Sequence, residues 1–165
     1  MQGFSLRPVI SGVLFLLLSL VSIQVGAEAG EWELKAAYTL NFAKFTHWAT
    51  PAISDDAGTL RVCTVGTSPI VAAFEEAEGS LIAGRTLDVR QVQIPGRVDG
   101  CHLLYIVRLE PHRLKRTLAA LSSLPILTVS DMDGFVRKGG MIGLLRQDRR
   151  LRFEIDLAAV RRAGS

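Results

Sequence analysis

The spacing of apolar residues along the chain predicts where its helices lie. Between residues 31 and 48 the large apolar side chains recur at three- and four-residue steps, the period of an amphipathic helix: Leu34, Tyr38, Phe42, Phe45 and Trp48. A second helix is predicted after Pro69, because proline suits the first helical position. A third is predicted over Pro111 to Leu121, where leucines recur on one face.

Short apolar runs between these helices predict six strands. They are Leu60 to Val65, Thr86 to Val92, Cys101 to Val107, Ile126 to Val129, Met141 to Leu145 and Leu151 to Ile155. Alternation of such strands with helices favours a largely parallel sheet covered on both faces. The last two strands are close in sequence and suit an antiparallel hairpin at one edge. The predicted fold is one three-layer α/β domain.

The first 27 residues have the pattern of a secretory signal peptide. An uncharged apolar run from Val9 to Ile23 follows Arg7, and small residues precede the predicted cut after Ala27. Residues 28 to 165 then form the domain. The alternative is an uncleaved membrane anchor, because Pro8 to Ala27 is uncharged and long enough to span a bilayer.

Composition and charge exclude several classes of protein. The chain has 165 residues, of which 48% are hydrophobic, so disorder and a cysteine-dense miniprotein are excluded. A formal net charge of only +3 does not indicate a nucleic-acid partner. Residues 134 to 162, however, hold eight bases and three acids. This basic end is either a solvated face or a docking surface for an acidic partner.

Two cysteines, Cys63 and Cys101, fall on the first and third predicted strands. After export to an oxidising compartment, such a pair is most simply a disulfide. Buried free thiols are the alternative. A metal site is not expected, because Cys101 and the adjacent His102 would point to opposite faces of a strand.

The sequence carries no recognisable catalytic motif, so neither an enzyme nor a cofactor is predicted. His47, His102 and His112 are scattered, without metalloprotease, nucleophile-elbow or phosphate-loop patterns. The turn at Gly66 to Ser68, between a strand and a helix, is either a plain connection or a binding site for an anion at backbone N–H groups.

A glycine-containing loop and the last strand provide candidate contact residues. Gly139 and Gly140 end the loop that begins at Asp131, and Phe135 within it is either a lid over the core or an exposed anchor for a partner. In the last strand, Arg152 and Glu154 share one face. That face is either a binding surface or simply solvated.

Several strings of sequence, in this order, carry a resemblance to a known family. They are KAAYTLNFAKFTHW at 35 to 48, LRVCTVG at 60 to 66, CHLLYI at 101 to 106, PILTVSD at 125 to 131, and GFVRKGGMIGLL with LRFEIDLAA between 134 and 159. With these strings the chain resembles the YfiR family of periplasmic proteins.

The resemblance implies a small α/β periplasmic regulator. Such a protein binds the periplasmic domain of an inner-membrane diguanylate cyclase and represses it, which lowers cyclic di-GMP and biofilm signalling. The resemblance also implies that an outer-membrane lipoprotein can sequester the repressor, and that the repressor can form a homodimer. A periplasmic small-molecule binding module that uses the Gly66 to Ser68 turn is the alternative function.

We expect the partner-binding residues in the C-terminal third, with the helix at 35 to 48 as a second candidate. They are Phe135, Gly139, Gly140, Met141, Arg152 and Glu154. Reduction of a Cys63–Cys101 bridge would lower the amount of competent repressor.

Two departures from the family limit what carries over. A second cysteine pair that some relatives have near the GGMI string is absent, and relatives continue beyond the segment that resembles LAAVRRAG. A shortened C-terminal edge is therefore expected.

Overall fold

A computed structural model describes residues 26–46, 48, 58–148 and 150–163. The predicted signal peptide lies mostly outside the described residues, as does His47. In the described part of the chain, no helix is both long enough and apolar enough to cross a membrane. The chain divides after Glu31 into two compact units, and the sheet belongs to the second, Trp32–Ser165.

Four α-helices are present in the described residues: α1 (Gly26–Phe45), α2 (Pro69–Glu76), α3 (Pro111–Leu121) and α4 (Leu157–Arg162). The second and third begin at prolines, as predicted. In α2 the residue before the proline, Ser68, is the N-cap. The sequence did not predict α4, because six residues are too few to show a helical period. Its start is fixed by Asp156, whose side chain accepts a hydrogen bond from the Ala159 N–H at 2.9 Å.

Seven strands form one sheet. They are β1 (Thr59–Val65), β2 (Leu81–Ile82), β3 (Arg85–Gln91), β4 (Leu103–Ile106), β5 (Leu127–Ser130), β6 (Ile142–Gln147) and β7 (Arg150–Ile155). Their order is β2-β3-β1-β4-β5-β6-β7, with antiparallel pairs only at the two ends. The predicted parallel sheet with an antiparallel edge hairpin is confirmed. The additional strand, β2, is too short to be recognised from alternation.

The two faces of the sheet bury separate apolar clusters, as expected for a three-layer fold. In β1, Leu60 and Val62 belong to the cluster that includes α1 and α2, whereas Cys63 and Val65 belong to the cluster that includes α3. Successive side chains of a strand point to opposite faces, which accounts for this division. Helices cover both faces of the central strands, and every residue of β4 and β5 is accordingly buried.

The cysteine pair forms a disulfide on the α3 face of the sheet. Cys63 is fully buried in β1, and Cys101 lies just before the neighbouring strand β4. Their Cα atoms are 5.8 Å apart, within the usual range for this bond. The predicted bridge is therefore present.

A buried ion pair ties α1 to the carboxyl end of β5. The Nζ of Lys35 lies 2.8 Å from Oδ2 of Asp131, although the two residues are 96 positions apart. Their side chains are 8% and 20% exposed. The Lys35 ammonium also lies 4.3 Å from the centroid of the Trp32 ring, so it has both a carboxylate and an aromatic partner.

Loss of the disulfide should lower stability measurably. In the Cys63→Ala/Cys101→Ala variant, we expect a decrease of about 3–4 kcal/mol in the free energy of unfolding, because the unfolded chain is no longer closed into a loop. Urea denaturation measures this. A reducing agent should destabilise the wild type but not the variant; equal stability of oxidised wild type and variant would contradict the prediction.

Removing either partner of the ion pair should be costly. We expect Lys35→Met to lower the free energy of unfolding by about 3 kcal/mol, because the Asp131 charge is left without its cation in a largely buried position. The exposed Lys44 of the same helix is the matched control, and Lys44→Met should change stability by less than about 0.5 kcal/mol. The double variant Lys35→Met/Asp131→Asn should lose less than the two single variants together. Additive losses would show that the two residues do not interact.

Candidate partner-binding surface

The predicted contact residues of the glycine-containing loop are mostly buried. Phe135 is 1% exposed and Met141 is 5% exposed, and both belong to the core; Gly140 is buried as well. Phe135 is therefore a lid over the core and not an exposed anchor for a partner. The expectation that these three residues form an exposed contact surface is therefore corrected.

The loop turns inward because a short 3-10 helix, Val136–Lys138, folds it back on itself. The Gly140 N–H donates a hydrogen bond to the Phe135 carbonyl at 3.0 Å. A Cβ at Gly140 would collide with the Phe135 ring, so only glycine leaves room for the ring. Gly139 is exposed and has a left-handed φ of 99° at the end of the 3-10 helix.

The other two predicted contact residues lie on the terminal strand β7. Arg152 is exposed and Glu154 is partly exposed, and they pair with Leu145 and Gly143 of β6. Phe153, between them, points to the opposite face, where its ring contacts α1. The predicted alternation of this strand is confirmed, and a partner-binding role for Arg152, Glu154 and Gly139 stays a prediction.

Helix α1 buries a different stripe from the one its sequence suggested. The residues packed under it are small or aliphatic, Ala36, Leu40 and Ala43. Those of the predicted apolar stripe lie further out: Leu34 is 46% exposed and Phe45 is 73% exposed. Tyr38 and Phe42 are partly buried at the side of the helix, and Glu33, Asn41 and Lys44 are exposed. The apolar side chains of the helix thus extend from its buried face onto one flank.

Two aromatic side chains at the side of α1, Tyr38 and Phe42, contact the terminal strand β7. The Phe153 ring centroid lies 5.2 Å from that of Phe42 and 6.3 Å from that of Tyr38. Phe153 and Ile155 remain 49% and 38% exposed. We call the set Tyr38, Phe42, Phe45, Phe153 and Ile155 the α1–β7 surface.

Strand β7 adds an unpaired backbone edge to this surface. In the described sheet it pairs only with β6, so its outer N–H and C=O groups have no strand partner there. Exposed arginines, Arg150 and Arg152, lie along the same strand. Both arginines point to the face opposite Phe153 and Ile155. The α1–β7 surface itself thus combines aromatic side chains with a free strand edge, which are features of protein-binding surfaces.

Thr67 and Ser68 of the Gly66 to Ser68 turn line a cleft at the carboxyl ends of the parallel strands. Strand β1 continues into α2 on one face of the sheet, and the adjacent β4 leads into α3 on the other. This divergence is the topological switch point at which α/β proteins often bind ligands. The cleft has a volume of about 760 Å³, and its lining includes both acids and bases: Arg108, Glu110, Asp131, Asp133 and Lys138.

Tyr105 lies buried in β4, close to the carboxylate of Asp131. Burial, reinforced by that negative charge, raises the pKa of Tyr105 above its ordinary value of 10.0. The sequence alone does not predict this group, because a tyrosine inside an apolar run is typical of a core residue.

The histidines that the structure describes do not come together. The Nδ1 of buried His102 accepts a hydrogen bond from the Arg61 backbone N–H at 2.9 Å, whereas His112 is exposed on α3. Within the described residues there is no group of three acids, histidines or cysteines placed to hold a metal ion.

A methyl group at Gly140 should destabilise the protein through the Phe135 ring. We expect Gly140→Ala to lower the free energy of unfolding by about 1–3 kcal/mol, as overpacking does. Gly143→Ala is the matched control, because its Cβ would meet Val136 at an ordinary 3.5 Å. Chemical denaturation compares the two variants, and similar losses would show that the Phe135 contact does not decide the effect.

Comparison with known proteins shows the family to which the chain belongs. No curated protein matches the sequence. A family model described as YfiR/HmsC-like matches residues 32–164. The match covers the whole described sheet and most of α1, including both residues of the buried ion pair. It bears out the resemblance carried by the sequence strings, and the chain belongs to the YfiR/HmsC-like family.

Proposed function

We propose that this chain is a periplasmic regulatory protein that binds the periplasmic domain of an inner-membrane diguanylate cyclase and represses it. Membership of the YfiR/HmsC-like family supports this proposal, because that family is regulatory rather than catalytic. The Cys63–Cys101 disulfide supports it as well, because such bonds persist in oxidising compartments such as the periplasm.

The observation that carries the proposal is the exposure of the α1–β7 surface. Large apolar side chains that lie together on a surface indicate an interaction site. Aromatic residues are enriched at such sites, and a few of them often provide most of the binding energy. The free edge of β7 also offers backbone groups to which a strand of the partner can bind.

Repression then follows from differential binding. A regulator that binds only the inactive conformation of the cyclase shifts the population towards that conformation. Reversing a 99:1 preference for the active state requires about 10⁴-fold tighter binding to the inactive one. An outer-membrane lipoprotein that binds the same surface would compete with the cyclase and release it. The outcome would be control of cyclic di-GMP and biofilm formation.

The cleft beside Gly66 to Ser68 favours a second candidate function, binding of a periplasmic small molecule. Its volume of about 760 Å³ is within the usual range for ligand sites, and it lies at the topological switch point. In this alternative the chain would act without a cyclase partner.

A charge placed on the α1–β7 surface should abolish repression. Deletion of the protein should raise cellular cyclic di-GMP, and the wild type should restore the low level. The Phe45→Glu variant should fail to do so, because a carboxylate would be buried against the partner. Binding of the cyclase periplasmic domain, measured by calorimetry, should weaken at least tenfold.

The matched control is Leu81→Glu. Leu81 is 72% exposed, nearly the same as Phe45 at 73%, but it lies on β2 at the other end of the sheet. This variant should repress like the wild type at equal periplasmic abundance. Equal behaviour of the two variants would contradict the assigned surface. A change of sedimentation in Phe45→Glu alone would assign that surface to a homodimer. Unchanged cyclic di-GMP on deletion would reject the regulator and favour the small-molecule function.

A further inference from the structure

A groove lies on the α3 side of the sheet, away from the α1–β7 surface. One wall is the loop between β3 and β4, at Ile94 to Val98, and the other is α3 with the turn that follows it. Its volume is about 480 Å³, within the range of small-molecule sites.

The groove is lined mainly by apolar side chains, and its charged lining residues are all positive. Val98 and Leu121 are buried at its base, and Ile94 and Leu124 are partly exposed. Among the residues described as lining it, the ionisable ones are Arg113 and Arg116, and both are exposed on α3. Apolar walls favour a hydrocarbon or aromatic body, whereas two guanidinium groups favour a carboxylate.

We propose that this groove binds a small amphipathic carboxylate, with the hydrocarbon part between the loop and α3 and the carboxylate at Arg116. The two arginines have different roles. One guanidinium nitrogen of Arg113 donates a hydrogen bond to the Ile94 carbonyl at 2.8 Å, so Arg113 holds the loop against the helix. No such contact is described for Arg116, which leaves its planar donor group available for a carboxylate.

The loop wall is held in place before any ligand binds. The Cys101 N–H donates a hydrogen bond to the Val98 carbonyl at 3.1 Å, and Cys101 is covalently joined to Cys63 of β1. Together with the Arg113 contact, this fixes the loop at both ends. A preformed wall lowers the entropy that binding has to overcome.

The groove and the α1–β7 surface lie on opposite faces of the sheet, so their ligands do not compete for space. Val98 and Leu121 belong to the apolar cluster of α3, whereas Tyr38 and Phe42 pack against the cluster of α1. The inference therefore does not rest on the proposed regulatory function. Loss of carboxylate binding would leave the cyclase experiment unaffected.

The test uses decanoate as the probe, below its micelle concentration, with calorimetry and amide chemical shifts as readouts. Decanoate should bind with one site per chain and shift the amides of α3 and of residues 94 to 98. Two comparison probes separate the components: 1-decanol lacks the charge and acetate lacks the chain, and each should bind at least tenfold more weakly than decanoate.

Variants on α3 locate the site. Arg116→Gln should weaken decanoate binding about tenfold, whereas Lys115→Gln, a neighbouring exposed cation outside the groove lining, should not. Ala120→Trp should fill the groove and abolish binding. Ala119→Trp places the same side chain at an exposed position that does not line the groove, and it should bind normally.

Three results would overturn the proposal. Equal binding of decanoate and 1-decanol would show apolar adsorption without recognition of the carboxylate. Equal effects of Arg116→Gln and Lys115→Gln, or of Ala120→Trp and Ala119→Trp, would place the site elsewhere. Absence of decanoate binding to a folded wild type would reject the groove as a carboxylate site.

Discussion

The ion pair between Lys35 and Asp131 is the constraint on which the arrangement of α1 depends. A charged pair at 2.8 Å in a largely buried position fixes the helix in rotation as well as in distance, because neither charge tolerates separation. With Lys35 turned towards β5, the small residues Ala36 and Ala43 face the sheet. Tyr38 and Phe42 are therefore only partly buried at the side of the helix, and Phe45 is left exposed.

That rotation links the core to the proposed function. If Tyr38 and Phe42 were fully buried against the sheet, little apolar surface would be left on this flank of the helix. Instead, Tyr38 and Phe42 reach the terminal strand and contact Phe153, so helix and strand edge form one continuous apolar surface. A partner that covers this surface would complete the burial that the fold leaves unfinished. The buried ion pair and the exposed aromatic residues are thus two consequences of one helix orientation.

The disulfide has a comparable role on the other face of the sheet. It connects β1 to the start of β4 and thereby holds one end of the loop that lines the α3 groove. The sheet separates this groove from the α1–β7 surface, so the proposed ligand site and the proposed partner site lie in different layers of the same domain. An effect of a bound ligand on partner binding would have to pass through the strands that the two sites share.

Much of this protein is determined by local sequence. Hydrophobic periodicity and the prolines at 69 and 111 were sufficient for the parallel sheet, α2 and α3, and the paired cysteines predicted their bridge, because these features depend on residues close in sequence or on a single possible pairing. The contacts of Phe135, Lys35 and Phe153 were not predictable. Each is decided by a partner on another element, and only the packed structure shows that Phe135 lies inside while Phe45 and Phe153 remain exposed.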